Sequence, residues 1–180
     1  MTSAERPWSA TVRLDEIGET GRHVELEASE ATRAALAKPA GVDAVERLTA
    51  RFDLTRRGRD RLHVSGEVRG IVRQTCVVTL DPVVNDVTEV FDLDFAPPRS
   101  AQDDAAEIDL DAASAADEPE PLIGNAVDLG LLATEFFILG IDPYPRAPGA
   151  AFDAPKPPPD PAGQPFAALA ALQKKGTVKE

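Results

Sequence analysis

Cysteine occurs once in this chain of 180 residues, and methionine, tryptophan and tyrosine also occur once each. A lone Cys76 excludes an internal disulfide, which fits a reducing compartment, and it cannot supply the ligands of a structural zinc centre. Histidine is nearly as scarce. His23 and His63 are the only two, both at the polar phase of a predicted strand. Neither belongs to a nucleophile, metal or acid–base constellation, so each reads as a solvated surface residue. No GxxxxGK[ST] loop and no strand-linked GxGxxG is present, so the glycines do not mark a nucleotide site. No apolar run is long enough to cross a bilayer, and the N-terminus lacks a basic start followed by an apolar stretch. These absences predict a cytoplasmic protein with no membrane partner, no cofactor, no metal and no catalytic residues.

What is present is an uneven charge. The net charge is −12, which disfavours phosphate binding overall. Residues 47–80, however, hold eight arginines against three acids, whereas residues 81–120 hold thirteen acids against Arg99 alone. Arg56, Arg57, Arg59 and Arg61 lie in or beside the turn TRRGRD, and Arg69 and Arg73 follow at the polar phase of the next strand. Two readings stay open. The guanidinium groups can share a face and track an RNA backbone through bidentate phosphate contacts. Alternatively they pair with acids of the return strand, including Glu89, Asp92 and Asp94, since few aromatics accompany them to stack on bases. Asp103, Asp104, Glu107, Asp109 and Asp111 are candidates for a protein partner. They lack the glycine and terminal glutamate of a calcium loop.

The apolar pattern sets the expected order of elements. Trp8, Ala10, Val12 and Leu14 alternate as a first strand, and Val24, Leu26 and Ala28 as a second, with a turn at Gly18 to Gly21. Ser29 caps a short helix in SEATRAALAK, which ends at Pro39 and Gly41, and Leu48, Ala50, Phe52 and Leu54 mark a further strand. Leu62, Val64, Val68, Val72, Cys76, Val78 and Leu80 extend one long strand from 61 to 80, with Gly66 and Gly70 on its apolar side. Glycines there permit a bend, a bulge or a close approach. Asp81-Pro82 opens a turn, and Val87, Phe91, Leu93 and Phe95 return antiparallel.

The most informative stretch is NAVDLGLLATEFFILGIDPYPRAPG, from Asn125 to Gly149. Asp128 is placed to cap a helix on which Leu132, Phe136 and Leu139 share a face. Gly140 suits a left-handed helix end, and Pro143 and Pro145 stop the helix from resuming. Glu135 is expected on the solvent side, the alternative being a pair with Arg146 after the chain turns at Pro143.

With QTCVVTLDPV, AVDLG and IDPYPRAPG in this order, the chain resembles the YceD-like family of bacterial large-ribosomal-RNA accumulation proteins, particularly its alphaproteobacterial branch. The resemblance runs over residues 8–149. It implies a cytoplasmic protein needed for normal levels of large-subunit ribosomal RNA, with that RNA or its precursor as partner and no activity assigned. Many relatives look as though they carry a C-x-x-C pair at the strand and a second cysteine pair near the C-terminal proline segment. Here only Cys76 remains, so no zinc is expected.

The predicted fold is α+β: a strongly curved antiparallel sheet or partial barrel with two or three short helices. Residues 1–152 form the predicted domain, interrupted by a mobile acidic loop at 97–121. Residues 153–180 form a flexible proline-rich tail with a short helix. The predicted function is a non-enzymatic ribosome-biogenesis factor acting on large-subunit ribosomal RNA. The alternative is an acidic adaptor that engages a basic ribosomal protein or an RNA-processing enzyme.

Overall fold

A computed structural model describes residues 7–98 and 119–153. The chain divides into two units, residues 1–150 and 151–180, and the elements described below belong to the first. In that unit β2 (Arg22–Glu27), α1 (Glu30–Ala37), β3 (Ala44–Arg57), β4 (Arg61–Thr75) and β5 (Pro82–Ala96) follow the short strand β1 (Thr11–Arg13). They are followed by β6 (Glu120–Pro121), β7 (Ala126–Asp128) and α2 (Leu129–Leu139).

The main sheet has the order β2-β3-β4-β5-β6. It is α+β with antiparallel pairing throughout except at β5–β6, which is parallel. The expected strongly curved sheet or partial barrel is not formed. The sheet is open, because β2 and β6 lie at opposite edges and do not pair. Nor does β1 join β2 in a hairpin. It pairs instead with β7, Val12 opposite Val127, in a separate two-stranded sheet. This ties the N-terminal segment to the start of α2, where Trp8 is buried.

Alternation in β4 carries the core. Leu62, Val64, Val68 and Val72 are fully buried on one face, while Arg61, Arg69 and Arg73 project from the other. The strand ends at Thr75, although the apolar pattern continues to Leu80. Here the backbone folds back on itself, with Leu80 N–H donating to the Cys76 carbonyl at 3.0 Å. Gly66 and Gly70 allow close approach of both a neighbouring backbone and side chains. A β-carbon at Gly66 would lie 2.5 Å from the Arg51 carbonyl oxygen and 2.7 Å from the ring of Phe91, and one at Gly70 would lie 3.0 Å from the Arg47 carbonyl oxygen and 2.4 Å from the ring of Phe137. The register shift falls elsewhere, between Val45 and Arg47 of β3, where Glu46 is the extra residue.

Helix α1 is capped as expected, with Thr32 N–H donating to Ser29 Oγ at 3.2 Å, and it buries Leu36. Helix α2 packs on the apolar face of β4 and β5. Phe136 stacks on Phe91 at 4.4 Å between centroids, and Phe137 is fully buried. Leu132 is buried too, but Leu139 is 76% exposed, so the three residues expected to share the docking face are not all covered. Leu139 is seven residues from Leu132, on the same side of the helix, and it is the last position of α2, whereas Leu129, Gly130, Ala133 and Phe137 are also buried. Gly140 is right-handed, with φ −79, and not left-handed. Glycine serves there because a β-carbon would come within 2.5 Å of Glu89 Cγ. Glu135 is exposed, as its place in the pattern predicts.

Candidate functional site

The arginines that the sequence singles out project from one end and one face of the sheet, and they fall into two groups. Arg57 and Arg61 stand directly opposite each other in the β3–β4 register, with Arg56 and Arg59 beside them at the turn. Arg56 Nη2 donates to the Arg59 carbonyl at 3.3 Å, which holds the loop compact. Gly58 takes φ +79, so the tight turn uses the left-handed conformation that glycine alone adopts without strain. All four arginines are exposed. Arg69 lies eight residues along β4 from Arg61 and Arg73 twelve, roughly 25 and 40 Å away at the rise of a strand. The six do not form one patch.

Their partners separate them further. Arg57 Nη1 bonds Asp94 at 3.0 Å, Arg69 bonds Glu67 at 2.7 Å, and Arg73 bonds Glu46 at 2.9 Å. Among the described residues no carboxylate lies within 4.0 Å of Arg56, Arg59 or Arg61. The charge pairing expected with the return strand is therefore realised at Asp94. Asp92 and Asp94 also flank His63, at 3.5 and 3.1 Å. The His63 side chain is only 17% exposed, so it is held between two carboxylates rather than solvated. His23 is exposed, and its hydrogen bond to Asp53 raises its pKa, with smaller help from Glu25.

The middle of the same face is a shallow hollow of about 680 Å³, lined by Arg47, Arg51, Arg69, Glu25, Glu67 and Asp86 among others. Arg47 and Arg51, at odd positions of β3, join Arg69 in this hollow, and the strand's alternation is the signal that places them there. Charges of both signs alternate there, and Arg51 is bonded to Glu25 at 3.1 Å. Such a surface suits no ligand of a single sign. The hairpin end, with four arginines against Asp60 and Asp94, does.

The second concentration of polar geometry is at the far end of β4. Cys76 is fully buried but stands apart from the main hydrophobic cluster. Its Sγ accepts the backbone N–H groups of Val78 and Thr79, each at 3.4 Å, and of Ala147 at 3.2 Å. The Thr79 hydroxyl and these amides outweigh burial, which acts the other way, and lower the thiol to about 6. Cys76 thus joins the β4–β5 connection to the proline segment. Val77 N–H to the Pro145 carbonyl, 2.9 Å, and Gln74 Nε2 to the Asp142 carbonyl, 2.8 Å, add to the same junction.

Among the described residues no three His, Cys, Asp or Glu side chains converge as metal ligands. No helix among them is long and apolar enough to cross a membrane. Asp103, Asp104, Glu107, Asp109 and Asp111 lie outside the described residues, as do most of the expected acidic loop and nearly all of the tail. Glu120 and Pro121, at the end of that loop, form β6 beside Phe95 and Ala96.

No curated protein matches the chain, and no solved structure does. A family model does, that of the Large ribosomal RNA subunit accumulation protein YceD, over residues 64–173. The matched stretch begins in β4 and takes in β5, the Cys76 junction and α2, that is, the elements that carry the proline segment against the sheet. With more than half of its length matched, the chain belongs to the YceD family of large ribosomal RNA subunit accumulation proteins.

Proposed function

We propose that this protein supports the accumulation of large-subunit ribosomal RNA in the cytoplasm by contacting the RNA directly, without catalysis, through the arginine end of the β3–β4 hairpin. The observation that carries this reading is the cross-strand pair Arg57–Arg61. Like charges directly opposite each other on a sheet are destabilising. Asp94 compensates one of them, and a phosphate between the two would relieve the repulsion with charge-assisted bonds. Arg56 and Arg59 extend the same end for a second phosphate. Arg69 and Arg73, each already bonded to a glutamate, add less. The net charge of −12 opposes RNA binding overall, so an RNA contact has to be local, and the hairpin end is where arginines without a carboxylate partner among the described residues are concentrated.

The test is binding of a large-subunit ribosomal RNA precursor to the full chain at several salt concentrations, beside a variant with Arg56, Arg57, Arg59 and Arg61 changed to Gln. The variant should bind more weakly, and its affinity should fall less steeply with salt, because each lost phosphate contact removes roughly 0.7 to 0.9 from the log–log slope. A folded variant with unchanged affinity and unchanged slope would remove the hairpin from the RNA contact.

A further inference from the structure

The opposite end of the sheet from the arginine hairpin carries an apolar tip. Leu80 is 75% exposed, Tyr144 is 72% exposed and Val77 is 47% exposed. They sit on two segments that the Cys76 junction locks together, through Val77 N–H to the Pro145 carbonyl at 2.9 Å and Ala147 N–H to Cys76 Sγ at 3.2 Å. Leu80 also has φ +63, a left-handed conformation that glycine takes freely and leucine takes only with strain. The chain therefore keeps a large apolar side chain where neither solvent nor backbone favours one. Rigid support, exposure and strain at one residue are the marks of an anchor for a partner.

Charge around the tip narrows the partner. Asp81 follows Leu80, and Asp142 lies two residues before Tyr144, where it accepts the Tyr144 N–H at 2.8 Å. Both carboxylates are exposed, and Asp43 accepts the Thr75 hydroxyl at the same end of β4. Arg73 there is bonded to Glu46, which leaves Arg146 as the other cation, and the chain as a whole is strongly acidic. An RNA backbone is repelled by such a rim and offers no recess for a leucine. A basic protein offers both complementary features. We propose that the Val77, Leu80 and Tyr144 tip docks a basic protein whose Lys and Arg side chains surround an apolar recess that takes Leu80. Because β4 separates this tip from the arginine hairpin by roughly 45 Å, the docking does not depend on the proposed RNA contact.

The proposal is tested by titrating individually purified basic proteins of the large ribosomal subunit against the full chain by calorimetry. At least one should bind, and Leu80→Gly should weaken that binding about tenfold or more while leaving the melting temperature unchanged or higher, since glycine relieves the strain. Tyr144→Ser should weaken it in the same direction, and Asp81→Asn combined with Asp142→Asn should flatten its salt dependence. Absence of binding to every such protein, or binding unaffected by Leu80→Gly, overturns the proposal. So does a Leu80→Gly variant that instead loses RNA binding or turns a dimer into a monomer, since the tip would then belong to RNA or to a second copy of the chain.

Discussion

Phe137 of α2 rests on Gly70 of β4 so closely that a β-carbon on the glycine would lie 2.4 Å from Cε2 of the ring and 3.0 Å from the Arg47 carbonyl. The helix and the central strand are thus fitted to each other through one missing side chain. Gly70→Ala is expected to destabilise the fold by about 1 to 3 kcal/mol, the usual cost of overpacking, because neither the strand backbone nor a fully buried ring can move aside cheaply. Phe137→Ala should cost about 3 to 5 kcal/mol by leaving a cavity. In the double variant the alanine at 70 no longer meets a ring. Denaturant titration should show a double loss smaller than the sum of the two single losses, and strict additivity would show that the contact does not position the helix.

Asp128 links two further parts of the fold that are distant in sequence. Its carboxylate accepts the N–H groups of Gly130 and Leu131 at the start of α2, at 3.1 and 3.2 Å, and that of Ala10 at 2.9 Å, while Ser9 Oγ donates to it at 2.8 Å. Burial alone raises its pKa, but the four hydrogen bonds together prevail and lower it. A depressed carboxylate stabilises the fold above its unfolded pKa and loses that contribution as the pH falls through the folded value. Asp128→Asn should therefore narrow its stability deficit as the solution becomes acidic. Asp128→Ala should cost roughly 1 to 2 kcal/mol near neutrality as a lost cap, and more if the N-terminal segment detaches. Native-state amide exchange at Ala10 and Leu131 should accelerate together, and acceleration at only one of them would show that the cap and the strap are independent.

Local pattern was a good guide wherever one face of an element is buried along its whole length. The alternation of Leu62, Val64, Val68 and Val72, the cap at Asp128 and the stop after Leu139 are all legible in the residues themselves. The pattern misled where pairing partners are far apart. Trp8 to Leu14 alternates well enough for a hairpin with β2, yet nothing in those residues records that Ala126 to Asp128 competes for the same edge. Alternation through Val78 and Leu80 also continues beyond the strand, because the hydrogen bonds of a turn to a sulfur leave no periodic trace. For the arginines, spacing located the hairpin cluster but not the separation of Arg69 and Arg73 from it. Glu67, two residues from Arg69 on the same strand face, is legible in the alternation, whereas Glu46 becomes visible as the partner of Arg73 only once the register and the bulge after Val45 are known.

Cys76 offers the sharpest dependence on pH. With the Thr79 hydroxyl and three backbone amides directed at its sulfur, the thiol falls from about 9 to about 6 on folding. A group with a depressed folded pKa contributes nothing while it is protonated in both states, below about 6. Its contribution grows as the pH rises from about 6 to about 9, is fully present above that range, and is lost as the pH falls back through the folded value. Urea unfolding across this window should show the wild type gaining stability relative to Cys76→Ser, whose hydroxyl does not titrate there. The loss should loosen the proline segment first, since the bond from Ala147 N–H is then to a neutral acceptor rather than a thiolate, while β4 and β5 keep their own ladder. Alkylation separates charge from access: a thiolate reacts fast only when a reagent reaches it, and Cys76 is fully buried. Iodoacetamide should therefore modify the native protein slowly at pH near 7.5 despite the low pKa, and quickly once urea opens the junction. A pH-independent difference between wild type and Cys76→Ser would mean that the thiol stays neutral and that the amide bonds to its sulfur act only as geometry.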